Sequence, residues 1–227
     1  NPNGYYTDGP VLVDSCRSFV GMHPVPVVYG MTIGEYAGMV NGEGWLKGGL
    51  RCDLTVIPLA GYDHRSRYVL PVRPSPNLPD STSVTLYPSL CLFEGTPVSV
   101  GRGTTFPFSA YGHPLLDYGD FSFTPHPIPG VSEHPPCEGK LCRGEDLRQY
   151  FRNNPGDSGR LILSWLIRAC HAWKGPEPFF TSYFDKLAGT PVLKKQILAG
   201  MTEKEIRRSW QDDLRKFMKI RRKYLLY

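Results

Sequence analysis

Residues 29–57 decide the expected fold, because a helix signal and a strand signal follow each other in the stretch YGMTIGEYAGMVNGEGWLKGGLRCDLTVI. Thr32 and Glu35 have the spacing of a capping box, which predicts a helix from Thr32 through about Val40. The run Leu54–Ile57 is short, apolar and rich in β-branched residues, so it predicts a strand. A helix that leads into a strand is part of a β-α-β unit.

Further strands and helices alternate on both sides of this stretch. Val11–Val13 predicts a strand before it, Ser83–Phe93 predicts a buried helix after it, and Val98–Val100 predicts a third strand. Alternation of strands and helices is typical of a parallel sheet with crossover helices. We therefore expect residues 1–114 to form part of an open α/β domain with a parallel sheet.

The pattern changes after residue 114. Residues 115–139 are rich in Pro, His and Gly, which predicts a linker or an irregular surface segment. Helical periodicity then recurs over Gly144–Asn153, Ser158–Trp173, Phe179–Leu187, Val192–Leu198 and Glu203–Tyr224. We expect residues 115–227 to form a smaller, mainly α-helical subdomain.

Composition and charge narrow the class of protein. Hydrophobic residues make up 41% of the chain and charged residues 21%, as in a globular protein, and no run reaches the ~18 apolar residues of a membrane span. The net charge of +5 is concentrated between Glu203 and Lys223, where nine Lys or Arg face four Asp or Glu. Apolar residues at helical spacing run through the same segment, so we expect the cations to be the solvated side of a docked helix. Nucleic acid is not predicted as a partner, and no transmembrane segment is predicted.

Metal and cofactor chemistry is not predicted. The six cysteines are too few for a disulfide scaffold, and the pair Cys137 and Cys142, with His134 before it, lacks the further ligands that zinc needs. A local disulfide in an oxidising compartment and two unpaired thiols both fit this pair. The glycines of residues 42–48 imitate a dinucleotide fingerprint, but they follow a helix where the fingerprint must follow a strand.

Carboxylates, amides and an arginine lie in glycine-rich turns of the kind that line pockets. In an open α/β domain the ligand site lies beyond the carboxyl ends of the strands. Glu94 follows an apolar segment and precedes a glycine, so we expect it to be partly desolvated, as suits a general acid. The other candidates are Glu35, Arg102, Asn41 and Asn77, with His113 and His64 as weaker ones.

Each candidate also has a structural interpretation. Glu35 fits a capping box, and Glu94 fits an ion pair with Arg102 across a turn. The asparagines fit turn stabilisation, and the histidines fit supporting positions in loops. The residue patterns leave both interpretations open.

Several unusual segments occur in an order that is specific in combination. The chain resembles the bacterial exo-β-N-acetylmuramidases, and most of all members from Bacteroides-type bacteria. The residues that carry the resemblance are Asn1–Gly4, Asp8–Leu12, Ser18–Gly21, Tyr29–Glu35, Pro74–Asn77, Tyr87–Thr96, Ser99–Thr104 and Tyr224–Tyr227.

The resemblance implies a glycoside hydrolase that releases N-acetylmuramic acid from the non-reducing end of peptidoglycan fragments. It also implies a Rossmann-like domain joined to an auxiliary domain, with the active site in the cleft between them. Members carry a further N-terminal portion with a Glu-His-Gly segment, which is absent here, so we expect a fragment of a longer periplasmic or secreted enzyme. Val100 stands where many relatives have an acidic residue.

Roles for the candidate residues follow from this resemblance. Glu94 and Glu35 are the carboxylates expected to be catalytic, because glycosidases need an acid and a second group. Arg102 suits the lactyl carboxylate of muramic acid, since its guanidinium can bind it through two hydrogen bonds. The residues expected to bind the rest of the sugar are Tyr29, Thr32, Asn41, Asn77 and His113.

Two other classes of function remain open at this point. A peptidoglycan-binding protein without catalytic activity would keep the pocket and lack one catalytic group. A structural or interaction domain would use the basic C-terminal helix, and its binding would depend strongly on salt.

Overall fold

The computed structural model describes residues 4–66 and 68–227, so the first three residues of the quoted segment Asn1–Gly4 lie outside the described part. The described strands are β1 (Asp8–Val11), β2 (Pro26–Val28), β3 (Ala110–His113), β4 (Phe121–Phe123) and β5 (Cys142–Asp146). The described α-helices are α1 (Ile33–Gly42), α2 (Ser81–Leu90), α3 (Tyr150–Asn153), α4 (Ser164–Ala172), α5 (Phe184–Ala188), α6 (Val192–Leu198), α7 (Glu203–Ser209) and α8 (Gln211–Arg221).

The strands form two small antiparallel sheets. Strands β1 and β2 pair in a two-stranded sheet, with Asp8 opposite Val28. Strand β5 lies between β3 and β4 in a three-stranded sheet, with Ala110 opposite Asp146 and Phe123 opposite Cys142. The mixed α/β class is therefore confirmed.

The open parallel sheet predicted for residues 1–114 is not formed within the described part of the chain. Residues 54–57 have no ladder partner there, and Val98–Val100 is reduced to one antiparallel bridge between Ser99 and Gly112. The predicted strand Val11–Val13 begins earlier, at Asp8. An apolar run indicates an extended, buried segment, but it does not specify the direction of the strand beside it.

Predictions based on local capping are confirmed. Helix α1 begins after Thr32, whose side chain accepts from the Glu35 N–H while the Glu35 carboxylate accepts from the Thr32 N–H. Helix α7 begins with the same reciprocal pair, formed by Thr202 and Glu205. Helix α6 has the predicted bounds.

Predictions based on longer helical periodicity need correction. Residues 142–146 are strand β5, where Gly144 lies so close to the Tyr111 carbonyl of β3 that a side chain would not fit. The predicted helix Ser158–Trp173 begins only at Ser164, and Phe179–Leu187 is shortened to α5. The long C-terminal helix is interrupted at Trp210, whose φ of −101° and ψ of 3° end α7 before α8 begins.

One large hydrophobic core spans most of the described sequence, from Val28 to Leu214, and includes the fully buried Trp165 and Phe93. The core and the three-stranded sheet both draw on residues before and after residue 114. The division of the chain at that residue stays a prediction. No described helix has the length and apolar character needed to cross a membrane.

The docked C-terminal helices differ from expectation in where two of their cations lie. The apolar stripe is buried as predicted, as Leu214 and Phe217 illustrate. Arg221, however, is only 5% exposed and donates to the Gly30 carbonyl, and Arg207 also points inward. Part of the positive surplus is therefore used inside the protein.

Asp8 is the inner partner of Arg207. Its side chain is 3% exposed, and it accepts hydrogen bonds from the N–H groups of Gly9 and Leu161, at 2.8 and 3.1 Å. The guanidinium of Arg207 pairs with the same carboxylate and also with Glu203 at 3.0 Å. This network joins β1 to α7 and to the chain before α4.

We predict that Asp8→Ala destabilises the fold by about 3–5 kcal/mol, because it leaves the largely buried Arg207 and the Leu161 N–H short of a partner. Urea unfolding measures this loss. Asp212→Ala is the matched control, since its ion pair with Arg215 is exposed on α8 and should hardly change the urea midpoint. Equal effects of the two substitutions would contradict the prediction.

Candidate active site

Glu94 and Arg102 form a half-buried ion pair. Arg102 Nη2 donates to Glu94 Oε1 at 2.6 Å, and the side chains are 30% exposed for Arg102 and 26% for Glu94. Among the described residues, Glu94 alone accepts a hydrogen bond from this guanidinium, so its other N–H groups are available to a ligand. Both structural and ligand-binding interpretations of Arg102 are compatible with this geometry.

Close packing of the local backbone fixes both side chains. Glu94 lies in the 3₁₀ turn Cys91–Gly95 after α2, and a Cβ on Gly95 would stand 2.6 Å from the Cα of Phe184. Arg102 follows Gly101 and precedes Gly103, which have φ of 76° and 79°. These left-handed positions favour glycine, so the turn cannot easily change shape.

Aromatic rings surround the ion pair. The Arg102 guanidinium lies over the Phe108 ring, 5.0 Å from its centroid, and the Tyr87 ring is 5.1 Å from Phe108. Burial raises the pKa of Tyr87 to about 12, with the nearby Cys91 and Glu94 adding to the effect. Tyr87 is therefore a neutral hydroxyl near the charged pair.

Glu35 lies in a different environment, with no solvent exposure of its side chain. Oε1 accepts from His64 Nε2 and from the Leu226 N–H, each at 2.9 Å, and Oε2 accepts from the Thr32 N–H at 2.7 Å. Burial alone would raise the pKa of Glu35, but the hydrogen bonds from Leu226, Thr32 and His64 outweigh it and the pKa is lowered. Glu35 is a satisfied buried carboxylate.

The other candidates near α1 are also engaged with the protein. Thr32 caps the helix, and the Tyr29 ring lies 5.1 Å from the Tyr36 ring. Asn41 donates to the Cys52 carbonyl at 2.9 Å and accepts from the Cys52 N–H at 2.8 Å. Asn41 also lines a cavity of about 260 Å³ beside α1.

Asn77 and His113 belong to other parts of the fold. Asn77 donates to the Val131 carbonyl at 3.1 Å, and its buried Oδ1 atom has no hydrogen-bond partner among residues 4–66 and 68–227. His113 lies on β3, where Nδ1 accepts from the Leu115 N–H and the ring packs edge-on against Trp173. The structure therefore pairs Glu94 with Arg102 and gathers Glu35 with Thr32.

The sequence did not predict two features of these clusters, the position of Tyr87 and the pairing of His64 with Glu35. Tyr87 was not a candidate, although its spacing before Cys91 and Glu94 on one helical face was a usable signal. His64 was weighed as a supporting residue, but its partner Glu35 is 29 residues away and no local pattern joins them. Among the described residues, no three His, Cys, Asp or Glu side chains are arranged to hold a metal ion.

Solved structures define the fold class to which this arrangement belongs. The chain superimposes on a DUF1343 family protein of Bacteroides fragilis NCTC 9343 with a TM-score of 0.95 and 47% sequence identity, covering 100% of this chain and 64% of that one. A second DUF1343 family protein of the same strain, 22% identical, matches with a TM-score of 0.71 over the same shares and supports the fold alone.

Two family models identify the chain more closely. The model "Exo-beta-N-acetylmuramidase NamZ, N-terminal" matches residues 1–82, and "Exo-beta-N-acetylmuramidase NamZ, C-terminal" matches residues 85–227. The chain belongs to the exo-β-N-acetylmuramidase NamZ family. It is 36% identical over 251 aligned residues to the peptidoglycan β-N-acetylmuramidase NamZ of Bacillus subtilis (strain 168), spanning 100% of this chain and 58% of that relative's length.

We predict that Glu35→Gln lowers the free energy of unfolding by about 1.5–3 kcal/mol at pH 7, because three hydrogen bonds to a charged group lose that charge. The folded-state pKa of Glu35 lies below its usual value, so this stabilisation is present above about pH 4.5 and is lost as the pH falls through the folded-state pKa. Urea midpoints between pH 7 and about pH 3 test the prediction.

The matched control is Glu205→Gln. Glu205 has the same position in the capping box of α7, but it is solvent-exposed. Its replacement should cost clearly less stability at pH 7. If both substitutions lower the stability equally, burial does not increase the contribution of Glu35 to the free energy of unfolding.

Proposed function

We propose that the protein containing this chain is a glycoside hydrolase that releases N-acetylmuramic acid from the non-reducing end of peptidoglycan fragments. The observation that carries the proposal is the match to both NamZ family models across residues 1–82 and 85–227. The name of the Bacillus subtilis relative supports the same substrate and reaction. Because peptidoglycan lies outside the cytoplasm, we also propose a periplasmic or secreted location.

Arg102 is the residue best suited to recognise muramic acid. The lactyl group of this sugar carries a carboxylate, which distinguishes it from the neutral N-acetylglucosamine. A guanidinium binds a carboxylate through two parallel hydrogen bonds, and the half-buried position of Arg102 above Phe108 limits competition from water. This contact explains why the site would select the charged sugar.

Glu94 is the proposed catalytic carboxylate of this chain. In the structure it is paired with Arg102 through a short hydrogen bond. A ligand carboxylate on Arg102 competes for the same guanidinium, which weakens the ion pair. Glu94 in its acid form would then deliver a proton to the leaving glycosidic oxygen, as a general acid does.

The second catalytic group is proposed to come from the part of the enzyme that this chain does not cover. Glu35 is fully buried and accepts hydrogen bonds from three protein groups, which favours a positioning role over contact with substrate. The chain spans 58% of the curated relative, so residues outside it are available for that role. The sugar-binding roles of Tyr29, Thr32, Asn41, Asn77 and His113 stay predictions.

The reaction is tested by measuring release of N-acetylmuramic acid from the disaccharide MurNAc-β-1,4-GlcNAc. We expect turnover by the full-length parent and little or none by residues 1–227 alone. Binding of the disaccharide by the parent without turnover would contradict the enzymatic proposal and favour a non-catalytic peptidoglycan-binding protein.

We predict that Glu94→Gln in the full-length parent lowers kcat by at least about 100-fold, since the amide cannot donate the proton that the leaving oxygen needs. Arg102→Lys should mainly raise KM for the muramic acid substrate, because an ammonium group binds the carboxylate less specifically. Glu133→Gln, on an exposed loop, is the control and should leave both constants unchanged. A near-normal rate of the Glu94 variant would reject its role as acid.

The Rossmann-like sheet is proposed to include residues 54–57 together with strands from outside this chain. The Val56 side chain packs on Gly34 of α1, whereas Ile57 is 88% exposed. Parallel strands are normally covered on both faces, so an apolar run exposed on one face is consistent with a missing layer.

Hydrogen exchange tests this assignment. Amides of residues 54–57 should exchange rapidly in the isolated chain and be strongly protected in the full-length parent. The amides of β5, which are paired within this chain, should be protected in both and serve as the internal control. Rapid exchange of residues 54–57 in both proteins would overturn the assignment.

A further inference from the structure

An open groove that the proposed reaction does not use lies beside the loop that carries Arg102. Its volume is about 550 Å³, which is within the range of about 300–1,000 Å³ typical of ligand pockets. Gly103, which follows Arg102 directly, is one of the residues that line it. Since neighbouring Cα atoms are about 3.8 Å apart, the groove begins next to the proposed muramic acid site.

Hydrogen bonds and close packing make this loop rigid. The Gly101 carbonyl accepts from the Thr104 N–H at 3.2 Å and from the Thr104 hydroxyl at 2.6 Å, and that hydroxyl accepts from the Phe106 N–H at 3.1 Å. The Gly103 carbonyl accepts from the His126 N–H at 2.8 Å, and a Cβ on Gly103 would stand 2.6 Å from the His126 carbonyl oxygen. The loop therefore holds the groove in a fixed position relative to the ion pair described above.

Three phenylalanine rings form the apolar part of the groove. The Phe106 and Phe121 rings are 5.6 Å apart between centroids, and the Phe123 ring is 5.9 Å from each of them. The Arg148 guanidinium lies over two of these rings, 4.9 Å from the centroid of Phe106 and 5.4 Å from that of Phe121. Both of these rings are only half-buried, so they leave apolar surface for the C–H groups of a ligand.

The polar part of the groove carries no unbalanced charge. Arg148 Nε donates to Asp146 Oδ1 at 2.9 Å and Nη2 donates to Asp146 Oδ2 at 2.6 Å, which is a bidentate ion pair. Within residues 4–66 and 68–227, Arg148 Nη1 and the hydroxyls of the lining residues Thr105 and Thr124 have no hydrogen-bond partner. Aromatic rings next to free hydroxyl and N–H groups suit a neutral polyol better than an anion.

We propose that this groove binds the neutral sugar N-acetylglucosamine on the leaving-group side of the bond that is cleaved. The inference rests on the proposed function. An enzyme that removes the terminal muramic acid has every further sugar of the substrate on the leaving-group side, so a second sugar site next to Arg102 holds that part. Arg102 then selects the charged sugar, and the groove selects the uncharged sugar that follows it.

The first experiment compares two substrates of the full-length parent, the disaccharide MurNAc-β-1,4-GlcNAc and the β-glycosyl fluoride of N-acetylmuramic acid. The fluoride has no second sugar. We expect Phe121→Ala and Arg148→Ala to raise KM for the disaccharide about fivefold to tenfold, because each removes one surface of the groove, and to change KM for the fluoride by less than about twofold.

Arg152→Ala is the matched control, because Arg152 is exposed on α3, four residues after Arg148, and does not line the groove. It should leave KM for both substrates unchanged. Hydrolysis of the fluoride also shows that each variant is folded. An equal rise of KM for the disaccharide and the fluoride in the groove variants would overturn the proposal, while turnover by the unaltered parent would still support the proposed function.

The second experiment measures binding without turnover. Calorimetry with N,N′-diacetylchitobiose, which contains only N-acetylglucosamine, should show saturable binding to the full-length parent. Phe121→Ala and Arg148→Ala should weaken this binding about fivefold to tenfold, and Arg152→Ala should not change it. Because the sugar is neutral, the affinity should hardly depend on salt.

The two experiments separate the groove from the reaction. Chitobiose binding that depends on Phe121 and Arg148, in a parent that turns over neither substrate, would support the groove and contradict the proposed function. Absence of chitobiose binding, or binding that both groove variants leave unchanged, would overturn the groove even in an active enzyme.

Discussion

The buried carboxylate of Glu35 is the interaction on which the arrangement of this chain depends. It accepts hydrogen bonds from the Thr32 N–H at the start of α1, from His64 in a loop, and from the Leu226 N–H near the end of the chain. A buried charge costs several kcal/mol unless polar partners surround it. Displacement of any of these three segments would therefore leave the Glu35 carboxylate without one of its partners and destabilise the fold. Three regions that are distant in sequence are thereby held together at a single side chain.

A second buried charge extends the same principle to the other side of the C-terminal helices. Asp8 of β1 holds Arg207 of α7 and the Leu161 N–H, and Arg221 of α8 donates to the Gly30 carbonyl. The basic C-terminal segment is therefore attached through its charges as well as through its apolar stripe. The surface of these helices is therefore less positive than the sequence suggests, because Arg207 and Arg221 pair with groups inside the fold.

The sequence predicted the features that depend on neighbouring residues. The capping boxes at Thr32 and Thr202 are reciprocal bonds across three residues, and the ion pair of Glu94 with Arg102 spans eight. Strand β5 was predicted as a helix because its identity depends on Gly144 fitting against the Tyr111 backbone of a distant strand. The partnership of Glu35 with His64 was missed for the same reason. Contacts between distant segments carry no signature in local periodicity.

The two carboxylates predicted to be catalytic lie in different environments. Glu35 has three strong donors and no solvent exposure, so its charge is already used to stabilise the fold. Within the described part of the chain, Glu94 has one donor, partial exposure, and a partner whose remaining N–H groups are available. A catalytic group must exchange a proton or a partner during each turnover, and a carboxylate whose release would unfold its surroundings is poorly suited to that task. A glutamate side chain thus stabilises the fold in one case and is only partly engaged by the protein in the other, and the number of fixed donors around the carboxylate makes the difference.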